Sequence, residues 1–385
     1  MTSLERVLAT INHQEPDRVP LGEWGVDHDH VSKILGKPTF WRNRKATTLA
    51  LWENRRDEVV ENMKEDCVRL VEELDYDIIT VETVPSKHHH VSDAPKQIAE
   101  GTWKDSKGNV YRYAPSNDSI SLVQHSPDYP EPRFELEDED IENAMKRAQQ
   151  PEDESVYELI DFIAERYAGK KAILCRSLDF HGTMHAPFFG DYEHDLILTL
   201  TSPEELIRMH PVVLEKNRKL IEHCRKVGVN IMMEGYDFVM NTGTIMRPDS
   251  IREIYMPVMK GINDIVVENG MIPFFHCCGN IWDIMDDFVA AGYKGYQSIQ
   301  ETATMDNAKM KQLYGDKLTM WTGIQCETLI EGSLEDVERE VTRNLDLLMP
   351  GGGFIFGSTN SVQFGAKTEN YLKGLEILRK KGIYR

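Results

Sequence analysis

The sequence lacks several features that would place it in a large class of proteins. No apolar run approaches the roughly 20 residues that span a bilayer, and the N-terminal MTSLERVLATINHQEPDRVP carries charges where a secretory signal has an apolar core. Six cysteines in 385 residues are too few for a disulfide framework. Basic residues are also scarce, 44 against 64 acidic ones, so the net charge is −20. Such a chain would repel nucleic acids and anionic membranes, and we expect a cytoplasmic protein that binds neither.

The second half of the chain alternates apolar runs of strand length with segments of helical period. The strand candidates there are 171–178, 229–234, 271–277, 294–299, 317–322 and 353–357, with earlier ones at 18–24 and 76–82. Alternating strands and helices imply a parallel sheet. The even spacing, from 272 to 295 and from 295 to 318, suits a closed barrel. Neither GxGxxG after a first strand nor GxxxxGK[ST] occurs, so we predict an α/β fold of the (β/α)8 TIM-barrel type.

One segment, about 101–158, interrupts this alternation. WKDSKGNVYRY predicts a β-hairpin that turns at 107–109. The acidic run 128–154 predicts a solvent-exposed loop and helix. Because the sequence shows no internal repeat and no linker, we expect a single domain over residues 1–385 that contains this insertion.

The motif FFHCCGN, at 274–280, follows a predicted strand and is the most distinctive chemical feature. Residues two apart on a strand point the same way, so His276 and Cys278 can face one site while Cys277 faces away. Catalytic residues of TIM barrels lie at the carboxyl ends of the strands. Imidazole and thiolate together suit Zn²⁺. The alternative interpretation is a buried polar pair at a strand end.

A catalytic zinc ion needs a third protein ligand. Glu234 lies at a predicted strand end and could ligate the metal or act as a general acid. Its alternative role is a salt bridge that closes the barrel mouth. Cys326 lies in a loop past its strand and could reach inward or be an ordinary loop thiol. Ser358 and Asn360 follow the last predicted strand and are further candidates.

Other polar residues follow the same predicted strands. They are Asp179 and His181 after LCRSL, Tyr236 and Asp237 after Glu234, and Gln300 and Glu301 after YQSI. A barrel mouth lined in this way suits a polar or aromatic small molecule. The tract His88–His90 is expected to be a polar loop, because three consecutive residues cannot all face one site.

Three segments resemble the uroporphyrinogen decarboxylase superfamily. They are SLERVLATINHQEPDRVPL at the N-terminus, GYDFVMNTGTIMRPDSIREIYMPVMKGINDIVVENG with the following IPFFHCCGNI, and GGGFIFGSTNSVQ. The resemblance spans nearly the whole chain and implies a TIM barrel. Uroporphyrinogen decarboxylases themselves carry an arginine-rich motif after the opening, which grips substrate carboxylates. The corresponding GEWGVDHDHVSK is acidic here, so porphyrinogen decarboxylation is the less expected activity.

The other branch of the superfamily comprises corrinoid-dependent methyltransferases. Its zinc motif is His-x-Cys with a distant cysteine near the last strand, and His276 and Cys278 match the first part. GGGFIFGSTNSVQ has no cysteine, and Ser358, Thr359 or Asn360 falls near that place. This departure disfavours the thiol alkylation of the coenzyme M enzymes, and Glu234 or Cys326 would then complete a different zinc shell.

The resemblance therefore implies a zinc-dependent methyltransferase that moves methyl from a methoxylated substrate, most simply an aromatic one, to the Co(I) corrinoid of a partner protein. Zinc or a positioned acid would hold the departing oxygen. The expected catalytic residues are Glu234, Asp237 and Tyr236, and the expected substrate contacts are Trp24, Asp179, His181, Asn241 and Gln300.

Two alternatives remain open. The first is transfer from a methyl-corrinoid protein to tetrahydrofolate, in which Asp179, Asp237 or Asn241 would donate a proton and zinc would not be essential. The second is a non-catalytic barrel that docks on a corrinoid-binding protein.

Overall fold

A computed structural model describes residues 1–129, 133–178 and 192–385. Its strands are β1 Ile78–Val81, β2 Lys96–Ala99, β3 Thr102–Lys104, β4 Val110–Ala114, β5 Ser119–Gln124, β6 Ala172–Cys175, β7 Ile231–Gly235, β8 Val239–Met240, β9 Gly243–Thr244, β10 Ile272–His276, β11 Gly295–Gln297, β12 Thr319–Ile324 and β13 Phe354–Ser358. Seven of them form one sheet in the order β1-β6-β7-β10-β11-β12-β13, and every neighbouring pair is parallel.

The N-terminal segment at residues 20–22 lies between the two ends of this sheet. The amide of Gly22 donates to the carbonyl of Phe356 in β13 at 3.1 Å, and the amide of Ile78 in β1 donates to the carbonyl of Leu21 at 3.1 Å. The ring therefore closes, and the predicted TIM-barrel fold is confirmed. The run predicted as a strand at 18–24 makes bridges and no regular strand, because Pro20 has no N–H to donate to a ladder.

The helices surround the strands. They are α1 Ser3–Ile11, α2 His28–Leu35, α3 Arg44–Trp52, α4 Arg56–Leu74, α5 Asp138–Gln149, α6 Glu158–Tyr167, α7 Tyr192–Thr201, α8 Pro203–Arg208, α9 His210–Val227, α10 Pro248–Ser250, α11 Met256–Glu268, α12 Met285–Ala290, α13 Asn307–Tyr314, α14 Cys326–Ile330, α15 Leu334–Leu348 and α16 Thr368–Lys381. A π-helical turn at Ile251–Tyr255 joins α10 to α11, and 3₁₀ turns occupy Glu154–Tyr157, Trp282–Ile284 and Glu301–Ala303. None of the described helices combines the length and the apolar character needed to cross a bilayer.

Successive strand residues alternate between two apolar layers. Met233 and Phe274 belong to the small cluster inside the barrel, with Trp321 among its largest members. Met232 and Phe275 belong to the larger cluster between the strands and the helices. This alternation, which follows from the two-residue period of a strand, decides which side chains can reach the barrel mouth.

The insertion between β1 and β6 carries a four-stranded antiparallel sheet, β2-β3-β4-β5. The predicted hairpin is confirmed as β3 and β4, although the sheet already begins at Lys96. Trp52 of α3 packs edge-on against Trp103 at 5.9 Å and Tyr111 at 5.4 Å between ring centroids. The insertion is thereby held against the helical layer.

A buried ion pair anchors the closing N-terminal segment to β1. Asp77, fully buried directly before β1, accepts from Arg6 of α1 at 2.7 Å and from Arg18 at 3.2 Å. Its other oxygen accepts from the amide of Leu21 at 2.9 Å. One carboxylate therefore holds both α1 and the segment that completes the barrel.

Candidate metal centre at the barrel mouth

Three potential metal ligands converge where β7 and β10 end. Each of Asp237, His276 and Cys278 offers one ligand atom, and these atoms lie within 4.8 Å of one another. His276 is the last residue of β10 and continues the inward face of Phe274, whereas Cys277 is fully buried in the outer apolar layer. The predicted separation of His276 and Cys278 from Cys277 is therefore what the structure shows. Asp237 follows β7, the parallel neighbour of β10.

The ring of His276 is fixed from two sides. Its Nδ1 is hydrogen-bonded to Oε1 of Gln297, a fully buried residue at the end of β11. Its face stacks on Trp24, with ring centroids 4.7 Å apart and an interplanar angle of 10°. Since Gln297 engages Nδ1, the other ring nitrogen, Nε2, is directed at the site, and partners of this kind set the tautomer of ligating histidines.

Polar side chains from three segments lie against the sulfur of Cys278. Nδ2 of Asn360 donates to the sulfur at 2.9 Å, the hydroxyl of Ser298 lies at 3.4 Å, and Nε2 of His276 lies at 3.4 Å. These contacts fix the position of the sulfur beside His276.

Unusual backbone conformations place these groups. Ser298 has a φ of 87°, in the left-handed region that costs a non-glycine residue free energy and is concentrated at functional sites. Gly279 has a φ of 94°, and a Cβ at this position would lie 2.8 Å from Val239 and 2.9 Å from the carbonyl oxygen of Met240. Glycine is therefore required directly after Cys278.

The pKa values of His276 and Cys326 respond differently to their surroundings. Burial by itself lowers the pKa of His276, but the nearby Cys278 and the hydrogen bond to it outweigh burial and raise the pKa above its usual value. Burial raises the pKa of Cys326 to about 12. Without a metal ion, Cys326 therefore stays a thiol at neutral pH.

The sequence predicted Glu234 or Cys326 as the third ligand. The structure places neither of them in the group that His276 and Cys278 form with Asp237. Glu234 shares the outward face of β7 with Met232, and its carboxylate contributes, after burial, to the raised pKa of Tyr293. Cys326 opens α14, where its sulfur lies 3.7 Å from the carbonyl oxygen of Ser361. Neither belongs to the convergent group, in which Asp237 is the third member.

Two clefts meet at this centre. One, of about 460 Å³, is lined by Trp24, Gly235, Tyr236, Asp237 and His276. The other, of about 340 Å³, is polar, and its lining includes Asp237, Cys278, Gln300, Cys326, Glu327 and Asn360. A small molecule in the first cleft would contact Asp237 and His276, and one in the second would contact Asp237 and Cys278.

Some of the remaining predicted residues line these clefts and others do not. Trp24, Tyr236 and Gln300 line the clefts, and Gln300 accepts from the amide of Gly279 at 3.0 Å. Asn241 lies in the exposed turn between β8 and β9 and is not among the residues that line either cleft. Asp179 and His181 lie outside the described residues.

Sequence reasoning missed Gln297 and Ser298, and it gave Asn360 only as one of several possibilities. The available signal was the polar pair that ends the apolar strand GYQS, at the same level of the barrel as His276. Gln297 can be assigned as the partner of His276 only once β11 is known to be the neighbour of β10.

Replacing Gln297 with methionine tests the orientation of His276. The variant keeps the side-chain length but loses the acceptor for Nδ1, so we expect metal affinity to fall about 10–100-fold, as for other partners of ligating histidines. Equilibrium dialysis against zinc measures the change. The matched control is Gln325→Met, since Gln325 is a buried glutamine that hydrogen-bonds Ile299 and Glu301 instead. Equal affinity in both variants would contradict the role given to Gln297.

The fold and the converging ligands define an α/β barrel with a candidate metal-binding active site at the carboxyl ends of its strands. The chain belongs to the uroporphyrinogen decarboxylase (URO-D) family, whose model matches residues 126–380. No match was found among curated proteins.

Comparison with solved structures supports the fold. A methyltransferase from Methanosarcina mazei is 15% identical with a TM-score of 0.69, over 99% of this chain and 98% of that one. A rutinosidase from Aspergillus niger is 10% identical with a TM-score of 0.43, over 95% of this chain and 97% of that one. The first similarity establishes a shared fold over the full length, and the second is too low to bear on function.

Proposed function

We propose that this chain is a zinc-dependent methyltransferase that moves methyl from a methoxylated substrate to the Co(I) corrinoid of a partner protein, as in anaerobic O-demethylation. The observation that carries the proposal is the convergence of Asp237, His276 and Cys278 within 4.8 Å at the barrel mouth. Membership in the URO-D family and the fold shared with a methyltransferase support it.

The three side chains fit zinc by their chemistry. They supply one nitrogen, one sulfur and one carboxylate oxygen, and a catalytic zinc site has three protein ligands and one open position. Gln297 leaves Nε2 of His276 directed at the site, and the side-chain amide of Asn360 holds the sulfur of Cys278 beside it. Bound zinc would supply Lewis acidity toward the ether oxygen that departs when the methyl group is transferred.

The aromatic cleft fits the methyl donor. Trp24 and Tyr236 line it beside His276, so a planar ring can lie against apolar surface with its methoxy group near the ligands. A Cβ at residue 235 would lie 3.0 Å from the Trp24 ring, so Gly235 lets the indole approach the strand closely. The task of these residues is to orient the substrate, which lowers the barrier by pre-positioning the reacting atoms.

The corrinoid is assigned to a separate protein. The chain has no DxHxxG sequence of the kind that holds a corrinoid. Methyl transfer would therefore require a corrinoid-binding protein to approach the barrel mouth, where both clefts open.

A methyl-transfer assay tests the proposal. The protein is incubated with reduced corrinoid and a panel of methoxyarenes, and demethylated phenol and methylated corrinoid are measured together. We expect both products without folate, and their loss in the His276→Ala, Cys278→Ala double variant. Cys224→Ala, which alters a buried thiol of α9, is the control that should keep the activity. Full activity of the double variant would refute the proposal, and folate-dependent loss of methylcobalamin would support transfer to tetrahydrofolate instead.

A further inference from the structure

A buried carboxyl group outside the candidate metal centre contacts the turn that carries Asn360. Glu23 is 4% exposed and lies next to Trp24. Its oxygens accept from the amide of Ser358 at 3.1 Å, and one of them lies 2.6 Å from the Ser358 hydroxyl oxygen. The same hydroxyl oxygen lies 2.7 Å from the carbonyl oxygen of Asn360. Glu23 is thus connected through Ser358 to the residue that donates to Cys278.

The number of available hydrogens fixes the charge of this group. A serine hydroxyl has one hydrogen and can donate only once. With Glu23 ionised, that hydrogen could serve either the carboxylate or the carbonyl of Asn360, and the other short oxygen–oxygen contact would have none. With Glu23 protonated, its O–H donates to Ser358 and Ser358 donates to Asn360. The neutral acid therefore satisfies both contacts.

The hydroxyl groups near Glu23 bring no positive charge. Tyr371 of α16 hydrogen-bonds to the carboxyl group, and Tyr76 lies 2.7 Å from the Tyr371 hydroxyl. Cys326 is a further titratable neighbour, and its raised pKa keeps it neutral.

The arginines that line the cavity beside Glu23 are already paired. The titratable residues lining that cavity are Arg42, Cys67, Tyr76, Glu82 and Arg176. Arg42 donates to Asp27 at 2.7 Å, and Arg176 pairs with Glu82. Burial, with no cation to offset it among the described neighbours, raises the pKa of Glu23 to about 8, so the acid is mainly neutral at neutral pH.

We infer that Glu23 is a positioning residue that works as a neutral carboxylic acid: protonated, it lets Ser358 donate to the carbonyl of Asn360 and so directs Asn360 at Cys278, and ionised, it withdraws that donor. On loss of the proton, Ser358 turns its hydrogen to the carboxylate, and the carbonyl of Asn360 is left with the longer contact from Nε2 of Gln297 at 3.4 Å. The contacts that hold this turn do not depend on the proposed function. Only an effect of Glu23 on methyl transfer would rest on it.

The direction of the pH effect on folding follows from proton linkage. The pKa of Glu23 is about 8 in the folded protein and about 4.5 when exposed. Between these values the folded state binds more protons than the unfolded state, so stability falls as pH rises through this window and levels off above it. Glu23→Gln removes this contribution, because the amide does not titrate.

Infrared difference spectroscopy of the metal-free protein tests the protonation state without any assay of activity. At pH values below about 8 where ordinary carboxyl groups are ionised, the carbonyl stretch of protonated Glu23 should be present in the parent and absent in Glu23→Gln, and it should be absent from both well above pH about 8. The same acid band in the variant, or no band in the parent, would overturn the inference even if methyl transfer is confirmed.

Amide hydrogen exchange of the turn 358–361 tests the positioning role. Glu23→Gln keeps a donor for Ser358, so exchange should match the parent at low pH. Above the transition the parent should exchange roughly tenfold faster than Glu23→Gln at the same pH, as expected for one lost hydrogen bond. Glu23→Ala should exchange fast at both pH values. Identical exchange in the parent and Glu23→Gln at high pH would show that ionisation does not release the turn.

Discussion

Cys278→Ser is expected to remove bound zinc and, with it, methyl transfer. The sulfur is one of three converging ligand atoms and is the only soft one among them. Serine keeps the size of the side chain, but its hydroxyl stays protonated where a thiol ionises, so the metal would lose an anionic ligand. The loss of zinc affinity should exceed the roughly 100-fold loss found when a residue that hydrogen-bonds to a metal ligand is replaced. Metal content per chain, measured after purification without added zinc, gives the result.

The neighbouring residue provides the control for this substitution. Cys277 is fully buried in the outer apolar layer and its sulfur faces away from the site. Cys277→Ser should reduce stability but retain the zinc. If the parent binds no zinc even after supplementation, or if Cys278→Ser retains it, the pair His276 and Cys278 has a packing role and the proposed chemistry is wrong.

Asp77→Ala is expected to cause the largest loss of folding stability. The carboxylate is fully buried and holds Arg6, Arg18 and the amide of Leu21, so its removal leaves the largely buried guanidinium of Arg6 with a weaker set of partners. Breaking a buried ion pair from one side costs about 3–5 kcal/mol. Urea denaturation followed by circular dichroism should show this decrease.

Asp75→Asn is the comparison for that loss, because asparagine tolerates the left-handed conformation of this residue, whose φ is 53°. Asp75 also pairs with Arg18, at 3.0 Å, but its side chain is 65% exposed. An exposed pair contributes about 0–1 kcal/mol. Equal destabilisation by the two substitutions would show that Asp77 does not hold the closing segment.

The parity of strand residues explains why two of the predicted ligands lie together and a third lies apart from them. His276 and Cys278 could be predicted together because residues two apart share a face, and β10 fixes that face through the inward Phe274. The same rule, applied to β7, places Glu234 with the outward Met232. Its position at the strand end suggested a ligand, but its parity directs it into the helical layer. Asp237, in the loop that follows, has no such constraint and can turn inward.

The supporting residues could not be predicted because they depend on contacts between distant segments. Gln297 acts on His276 from the adjacent strand, and Asn360 reaches Cys278 across the barrel mouth. Glu23 lies in a segment predicted as a strand, yet its role follows from contacts with Ser358, which is 335 residues away along the chain. Apolar periodicity identifies the strands, whereas these polar contacts require the closed barrel.

X-ray absorption spectroscopy of the zinc-loaded protein tests the central claim most directly, because it counts the atoms bound to the metal by element. We expect one sulfur ligand, from Cys278, with nitrogen or oxygen completing the shell. Two sulfur ligands in the parent would show that Cys326 joins the site after all, and a shell without sulfur would contradict the assignment of Asp237, His276 and Cys278 as the metal centre.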